Sequence, residues 1–286
     1  MSISYFAECT VLITGASAGI GREFARQLAP VVGTMILIAR RHDRLQALEL
    51  ELKVINPELE VYCRQLDLRD QAELKTFCDW LNESGLAIDL LVNNAGLGDH
   101  GPFAESKWER VQSMLQVNIY ALTYLIFRIL PSMRKSGSGA ILNVSSAASL
   151  VPVPNFAVYA ATKAYVTSFS EALRAELRNA NISVTALCPG PVLTEFADVA
   201  KRRTDAQVAP ATNLIVSVQE VVRQALRAVE RDRARVIPGT LVNLLMTTVV
   251  FLPMFVKRLF LNAHVARTEI SSSAATPLDY EVSGMV

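Results

Sequence analysis

Short apolar runs alternate with longer helical patterns along most of this chain of 286 residues. Strands that alternate with helices at this spacing form a parallel sheet that helices cover on both faces. We therefore predict an α/β fold, a doubly wound parallel sheet in a single domain, with a hydrophobic C-terminal extension. Ligands of such sheets bind beyond the carboxyl ends of the strands, so a functional site is expected there. The predicted strands are residues 10–13, 35–39, 61–66, 88–92, 141–144, 183–187 and 236–239.

Composition argues against several classes of protein. Hydrophobic residues make up 51% of the chain, and 28 basic residues nearly balance 27 acidic ones, so no nucleic-acid surface is indicated. The four cysteines are scattered and the three histidines form no local cluster, so no metal site is predicted. Scattered cysteines favour reduced thiols, and the first residues lack the basic leader and apolar core of a signal peptide. We expect a cytoplasmic protein.

A glycine-rich turn joins the first predicted strand to the first predicted helix. Residues 14–21 read Thr-Gly-Ala-Ser-Ala-Gly-Ile-Gly. Glycines let the backbone approach a pyrophosphate closely, and the helix that follows offers unpaired N–H groups and the positive end of its dipole. The spacing G-x-x-x-G-x-G differs from the commoner G-x-G-x-x-G, and a glycine cluster alone is often only a tight turn. The flanking strand and helix favour a Rossmann-like dinucleotide site.

Two arginines, Arg40 and Arg41, stand at the end of the second predicted strand. A dinucleotide fold that selects NAD usually places an acidic residue here, to hold the ribose 2′-hydroxyl. Arginine suits a 2′-phosphate instead, because charge-assisted hydrogen bonds are worth roughly 1.5–3 kcal/mol each, about ten- to a hundredfold in preference for NADPH. The alternative is that both arginines only open the charged helix over residues 42–52.

Polar and turn residues also follow three other predicted strands. Asp67 follows the third strand, the run Asn-Asn-Ala-Gly at 93–96 follows the fourth, and Cys-Pro-Gly-Pro-Val-Leu-Thr at 188–194 follows the sixth. The carboxyl ends of parallel strands lie along one edge of the sheet, so these groups are expected near a ligand. We expect Asp67 on the adenine side and residues 93–96 in a supporting backbone role.

Tyr159 and Lys163 stand four residues apart on an Ala-rich predicted helix, so both project from one face. An ammonium group beside the phenol lowers its pKa, and moving that pKa from about 10 towards 7 takes roughly 4 kcal/mol. The lysine together with a cationic cofactor could supply this difference. The alternative is an ordinary pair on a helix surface, because Y-x-x-x-K is common by chance.

One polar side chain, Asn118, lies on the apolar stripe of the long helix predicted over residues 107–133. A buried amide needs hydrogen-bond partners, so Asn118 either has a local structural role through its hydrogen bonds or is part of a site. Without the other motifs, a structural role is the simpler interpretation.

In their order along the chain, these motifs resemble those of the short-chain dehydrogenase/reductase family, over roughly residues 10–194. The resemblance implies that Tyr159 is the general acid in reduction and the general base in oxidation. It implies that Lys163 holds the nicotinamide ribose and lowers the pKa of Tyr159. Ser146 would hold the substrate oxygen, because its distance from Tyr159 in the sequence matches the family pattern better than that of Ser145.

The resemblance also implies a cofactor, NADP, with NADPH preferred and NAD as the alternative. Asn118 would position a water that relays protons to Lys163, and Val192 and Thr194 would contact the nicotinamide amide. Ala18 stands where relatives often have serine, a small change that should leave phosphate binding intact. The implied cofactor-binding set is Gly15, Ser17, Gly19, Ile20, Gly21, Arg40, Asp67, Asn94, Ala95, Gly96, Tyr159, Lys163, Pro189, Val192 and Thr194.

The expected function is hydride transfer between NADPH and a lipophilic ketone, aldehyde or secondary alcohol of the steroid, retinoid or acyl-chain kind, in lipid metabolism. Residues 150–156 are strongly apolar and favour such substrates, whereas His100 is expected to be a solvent-exposed loop histidine. One alternative is a nucleotide-binding sensor or scaffold on the same fold, and another is a membrane-attached lipid reductase. The resemblance further implies a homo-oligomer built on two long helices.

The end of the chain is expected to lie outside the catalytic domain, residues 1–239. Residues 241–256 are almost wholly apolar and precede Lys257 and Arg258. A helix there would be about 24 Å long, short of the hydrocarbon core of about 30 Å, and Pro253 interrupts it, so a transmembrane span is not expected. A lid over an apolar pocket, a helix on a membrane surface and a subunit contact all stay open. The extension is residues 240–265, membrane contact would involve 241–260, and 266–286 is the expected flexible tail.

Overall fold

The computed structural model of this chain describes residues 5–202 and 214–258. Its strands are β1 (Thr10–Thr14), β2 (Thr34–Ala39), β3 (Glu60–Gln65), β4 (Leu90–Asn93), β5 (Gly139–Val144), β6 (Ile182–Leu187) and β7 (Arg235–Val236). They form one parallel sheet in the order β3-β2-β1-β4-β5-β6-β7. The strand order reverses between β1 and β4, which is where such sheets open a crevice for ligands.

Helices cover both faces of this sheet. They are α1 (Gly19–Leu28), α2 (His42–Ile55), α3 (Gln71–Glu83), α4 (Trp108–Leu115), α5 (Leu122–Ser136), α6 (Ala157–Leu177), α7 (Glu195–Ala200), α8 (Val218–Glu230) and α9 (Thr240–Phe251). A π-helical stretch, Gln116–Ala121, joins α4 to α5 without a break. The predicted doubly wound α/β fold is confirmed.

Two apolar cores lie on the two sides of the sheet, and alternate residues of each strand enter them. In β1, Val11 and Ile13 pack with α1, α2 and α8, whereas Leu12 packs with α3, α5 and α6. This alternation follows from the period of two along a strand. Strands buried on both faces read as continuous apolar runs, which is why the sequence shows them clearly.

The continuous helix Trp108–Ser136 is long and apolar enough to cross a membrane by length and composition alone. Its side chains Leu125, Ile126 and Ile129 are buried in the core against the sheet. It is therefore a core helix of the fold.

Proline sets the end of two predicted elements. The last strand is Arg235–Val236 rather than 236–239, since Pro238 has no N–H to continue the ladder. The apolar helix ends at Phe251, next to the interruption expected at Pro253, because a residue before proline prefers extended backbone. The domain boundaries at 239 and 265 stay predictions, and the expected flexible tail lies outside the described residues.

Candidate active site

The turn between β1 and α1 presents bare backbone at the carboxyl edge of the sheet. Gly15 and Gly19 have φ angles of +67° and +53°, in the left-handed region that favours glycine. A Cβ on Gly15 would lie 2.9 Å from Asn94 Nδ2, and one on Gly21 would overlap both Asn94 Nδ2 and the Gly15 carbonyl oxygen. Side chains are therefore excluded from this cradle.

The N-terminus of α1 is free to bind an anion. Its N-cap residue, Ala18, makes no side-chain capping bond, and the first turn contains no acidic residue. The N–H groups and the positive end of the helix dipole therefore face the glycine cradle uncompensated, an arrangement that fits a pyrophosphate. Of the other residues predicted here, Ile20 packs against the core and the Ser17 hydroxyl accepts a hydrogen bond from Arg41, at 3.3 Å.

The end of β4 holds this turn in place through hydrogen bonds between side chains and the main chain. Asn94 Nδ2 donates to the Thr14 carbonyl oxygen at 2.9 Å. The Thr14 hydroxyl in turn accepts from the main-chain N–H groups of Asn94 and Ala95, both at 3.0 Å. Next to them, a Cβ on Gly96 would lie 3.2 Å from the Lys163 ammonium, so an added side chain would press on the lysine. The backbone-supporting role expected of this segment matches its geometry.

Of the two arginines after β2, Arg41 rather than Arg40 reaches the glycine turn. Arg41 bonds Ser17 and pairs with Glu195 at 2.8 Å, whereas Arg40 is exposed. The Asp67 carboxylate is held by Arg69 at 2.5 Å, and this hydrogen bond is the main cause of its lowered pKa. Arg40 lies near enough to lower that pKa slightly. Arg41 was missing from the predicted set because the sequence does not show which of two adjacent side chains turns inward.

Helix α6 brings Tyr159 and Lys163 together, as their spacing predicts. Tyr159 is 9% exposed and Lys163 is 3% exposed. The lysine Nζ lies 5.9 Å from the centroid of the Tyr159 ring and donates a 2.8 Å hydrogen bond to the carbonyl oxygen of Val144, the last residue of β5. The pair is therefore buried at a strand end and not on a solvated helix surface.

Burial sets the protonation of this pair. It raises the pKa of Tyr159 to about 12, against a smaller lowering by a hydrogen bond with Ser146. It also lowers the pKa of Lys163 to about 8. The expected lowering of the phenol pKa is thus not produced by the protein's own groups, because desolvation is the largest cause of the shift and raises the pKa. Tyr159 keeps its proton at neutral pH, which is the form that a general acid needs.

The two serines after β5 have different surroundings. Ser145 is buried, donates to the Lys163 carbonyl oxygen at 2.8 Å and shares a 2.7 Å hydrogen bond with the Thr167 hydroxyl. Ser146 caps the short 3-10 helix Ala147–Leu150, where its hydroxyl accepts from a main-chain N–H at 3.1 Å and interacts with Tyr159. Ser145 is a structural residue, and the role of Ser146 towards a substrate stays a prediction.

Asn118 lies in the π-helical stretch and is 1% exposed. Its Oδ1 accepts from the Leu97 N–H at 2.8 Å, and its Nδ2 donates to the Leu97 carbonyl oxygen at 2.9 Å and to the Thr162 hydroxyl at 3.0 Å. The Asn118 side chain thus links the segment after β4 to α6 through hydrogen bonds, which is a structural role. Its role in positioning a water stays a prediction. Single π-helical turns are frequent at functional sites, but no sequence signal revealed this one.

Aromatic side chains surround Tyr159 on its open side. The ring centroids of Phe156 and Phe196 each lie 5.4 Å from that of Tyr159, and His100 lies 4.8 Å from Phe156. His100 is half-buried, and burial lowers its pKa, so the expectation of a solvent-exposed histidine was wrong. Phe196 was not predicted, since nothing in the sequence indicates that α7 folds back over the phenol.

Two arginines fix α7 in this position through one carboxylate. The side chain of Asp99 is 1% exposed and pairs with Arg202 at 2.5 Å and with Arg110 at 2.9 Å. Arg202 also donates to the Ser106 hydroxyl at 2.6 Å, and Arg110 donates to the Val199 carbonyl oxygen at 3.0 Å. These contacts join the loop after β4 to the C-terminal end of α7.

The segment between β6 and α7 spans from the catalytic side to the glycine turn. The Pro189 carbonyl oxygen accepts from the Ala147 N–H at 2.8 Å, beside Ser146. Val192 packs against the core. A Cβ on Gly19 would lie 3.3 Å from the Thr194 methyl group, so Thr194 covers the turn. These residues are brought to the site, and their nicotinamide contacts stay predictions.

A family model described as short chain dehydrogenase matches residues 9–205. The chain belongs to the short-chain dehydrogenase family. This match confirms the predicted family and its class of enzyme, NAD(P)-dependent oxidoreductases acting on CH–OH groups. Among the residues that the structure describes, no group of three metal-ligating side chains occurs.

Three short-chain dehydrogenases illustrate the range of similarity. The NADP-dependent 3-hydroxy acid dehydrogenase YdfG of Salmonella typhi is 38% identical over 191 residues, covering 66% of this chain and 75% of that protein. A short-chain dehydrogenase from Sphingobium yanoikuyae, solved in complex with NADPH, has a TM-score of 0.74 at 30% identity, covering 95% of this chain and 99% of that one. The bulky-bulky ketone specific alcohol dehydrogenase from Comamonas testosteroni has a TM-score of 0.71 at 26% identity, covering 95% and 96%.

Proposed function

We propose that this short-chain dehydrogenase is an NADPH-preferring oxidoreductase acting on a lipophilic ketone, aldehyde or secondary alcohol in lipid metabolism. The observation that carries the proposal is a buried, protonated phenol, Tyr159, which lies between two phenylalanine rings at the same sheet edge as a backbone cradle for a dinucleotide. A substrate that reaches the phenol must pass these rings, so apolar substituents are favoured over charged ones.

The bound nicotinamide would supply or accept the hydride. Tyr159 would hold its proton until the substrate carbonyl oxygen gains negative charge, and then donate it. Ser146 would hydrogen-bond the same oxygen and orient it towards the phenol. Lys163, whose pKa is about 8, would carry a positive charge in most molecules at neutral pH and would lower the cost of forming the phenolate.

The preference for NADPH rests on the two arginines after β2. Arg40 is exposed and free to turn towards a 2′-phosphate, and Arg41 already lies on Ser17 of the glycine turn. The Sphingobium structure in complex with NADPH supports this choice.

The test is a titration of NADPH and of NADH, followed by nicotinamide fluorescence, for the parent protein and for Arg40→Ala and Arg41→Ala. We expect tighter binding of NADPH in the parent and a loss of about ten- to a hundredfold in at least one variant, with NADH binding nearly unchanged. Equal binding of both cofactors in the parent would overturn the preference and leave the catalytic assignment standing.

The substrate class is tested by comparing a bulky aromatic ketone with a small 3-hydroxy acid in the same assay. The relatives include enzymes named for each kind of substrate, and the apolar rings around Tyr159 favour the ketone here. A larger kcat/KM for the hydroxy acid would overturn the lipophilic class. Turnover of neither, with normal NADPH binding, would favour a nucleotide-binding sensor or scaffold.

We also propose that the enzyme is a homo-oligomer. Large apolar side chains on the outer face of α4, α5 and α6 stay exposed and line a cavity of about 540 Å³, among them Leu115, Tyr120, Phe127 and Tyr165. Contiguous exposed aromatic surface of this kind is typical of subunit contacts. Sedimentation velocity should show an oligomer for the parent and a monomer for Phe127→Glu, whereas Leu50→Glu on α2 should behave as the parent.

A further inference from the structure

Helix α9 is mostly apolar, with polar residues at Thr240, Asn243, Thr247 and Thr248, yet Val242 is its one buried residue. Leu244 is 68% exposed and Phe251 is 83% exposed, and Leu241 and Leu245 in the helix and Phe255 beyond it are exposed as well. Large apolar side chains are normally buried, because their exposure to water is unfavourable. Nothing in the described part of the chain covers this surface of α9.

The buried side of α9 packs next to segments of the candidate active site. Val242 packs on Gly190, where an added Cβ would lie 3.0 Å from a Val242 methyl group. Helix α9 also contacts the 3-10 helix Ala147–Leu150, which Ser146 caps. The apolar surface therefore borders the segments that form the substrate side of the site.

The residues after α9 add positive charge. Lys257 and Arg258 lie six and seven residues beyond Phe251, and the Lys257 Nζ donates to the Val250 carbonyl oxygen at 3.1 Å, which places it at the C-terminal end of the helix. Residues 233–268 include no aspartate or glutamate. The basic residues of this stretch are Arg233, Arg235, Lys257, Arg258 and Arg267.

We propose that α9 lies on the surface of a bilayer that contains anionic lipid, with its leucine and phenylalanine side chains among the acyl chains and Lys257 and Arg258 at the headgroups. Apolar side chains next to a basic cluster are what such a surface attracts. The twelve residues of α9 extend about 18 Å, too short to span a hydrocarbon core of about 30 Å. A second copy is a poorer partner, because Lys257 and Arg258 would repel their copies across a twofold contact at this end of the chain.

This placement identifies where the substrate comes from. With α9 on the bilayer, the aromatic side of the site opens near the lipid surface, so molecules dissolved in the membrane are the substrates with the shortest path to Tyr159. The membrane contact is independent of the proposed oxidoreductase function, whereas the supply of substrate from the bilayer rests on it.

The test is flotation of the full chain with vesicles of phosphatidylcholine alone and of phosphatidylcholine with about 30% phosphatidylglycerol. We expect the parent to float with the anionic vesicles and less with the neutral ones. The double variant Leu244→Glu/Phe251→Glu should partition at least about tenfold less. The control Leu50→Glu/Val54→Glu removes two side chains that are equally exposed on α2, at 71% and 85%, and should float as the parent does.

Several outcomes would overturn the proposal. The proposal fails if the parent binds neither kind of vesicle, or if the control loses as much binding as the α9 variant. A changed sedimentation coefficient in the α9 variant would assign the surface to a second copy. Loss of thermal stability in the α9 variant would instead assign the surface to another segment of this chain. Titration with NADPH is run on every variant, so normal cofactor binding without flotation would defeat the membrane contact and leave the proposed function intact.

Discussion

The cofactor side and the substrate side of this site are held in place by different kinds of interaction. On the cofactor side, Thr14 and Asn94 fix the glycine turn through hydrogen bonds between side chain and main chain, at the ends of two adjacent strands. On the substrate side, α7 is fixed by the buried Asp99 and its two arginines, in ion pairs between segments outside the sheet. The first arrangement is supported by the sheet, whereas the second depends on three charged side chains. This explains how one fold can keep its cofactor and vary its substrate.

The largest expected effect comes from a substitution of Tyr159, which should slow the chemical step and leave cofactor binding unchanged. Tyr159→Phe removes the proton donor and should lower kcat on the order of a thousandfold, because general acid catalysis contributes about 10²–10⁴. NADPH affinity should stay within about twofold of the parent, since the glycine cradle is untouched. Steady-state kinetics and fluorescence titration measure the two quantities. A parallel loss of NADPH binding would mean that the two sides are not separable.

The next effect tests the backbone cradle. Gly21→Ala places a methyl group on Asn94 and Gly15, and should weaken NADPH binding by about a hundredfold, because the turn must move away from the pyrophosphate. Gly85→Ala is the control, since Gly85 also has a positive φ but its Cβ would meet no atom within 4 Å. The control should lose some stability and bind NADPH normally. Normal binding by Gly21→Ala would show that a backbone cradle is not required.

A third prediction concerns Lys163, between the two sides. In the folded protein the pKa of Lys163 is about 8, below the ordinary value of 10.5. Between about pH 8 and 10.5 the unfolded chain therefore binds more protons than the folded protein does. For this reason Lys163 makes the free energy of unfolding rise with pH in that range. The free energy of unfolding of the parent minus that of Lys163→Met should rise by roughly 2 kcal/mol between pH 8 and 10. A flat difference would mean that the lysine is not desolvated.

The test compares the free energies of unfolding of the parent and of Lys163→Met, because groups other than Lys163 also titrate between about pH 8 and 10. Burial raises the pKa of all four cysteine thiols, so their contribution to stability falls as pH rises. Tyr159, with a pKa of about 12, adds a further fall above about pH 10. Denaturant unfolding at each pH, without cofactor, measures the difference directly.

The smallest effect tests the substrate side. Asp99→Asn weakens both ion pairs that hold α7, so Phe196 should no longer be fixed over Tyr159, and KM for a bulky ketone should rise about tenfold with NADPH affinity unchanged. Asp198→Asn is the matched control, because Asp198 forms an exposed ion pair with Lys201 on the same segment. An equal rise of KM in both variants, or a change in kcat alone, would contradict a positioning role for Asp99.

Much of the fold and part of the site were predictable, because their signals are local. The strands were found within about two residues of their true limits, since buried parallel strands are continuous apolar runs. The glycine turn and the Tyr159–Lys163 spacing are also local signals. Their place at one edge of the sheet follows because ligands of parallel sheets bind beyond the carboxyl ends of the strands. The strand 236–239 was predicted too long, because its apolar residues were given more weight than Pro238, whereas the interruption of the apolar helix was expected at Pro253.

Tertiary structure alone decided the rest of the site. Asp99 and Arg202 are 103 residues apart, and no periodicity in the sequence pairs them or places Phe196 over the phenol. Which of Arg40 and Arg41 contacts the glycine turn depends on the direction of each side chain in the folded protein. The pKa of Tyr159 depends on desolvation, which belongs to the packed molecule and not to the spacing of two residues on a helix. The sequence by itself thus determined the family, the sheet and the Tyr159–Lys163 pair, whereas burial and long-range pairing determined the pKa of Tyr159 and the side chains that pack on it.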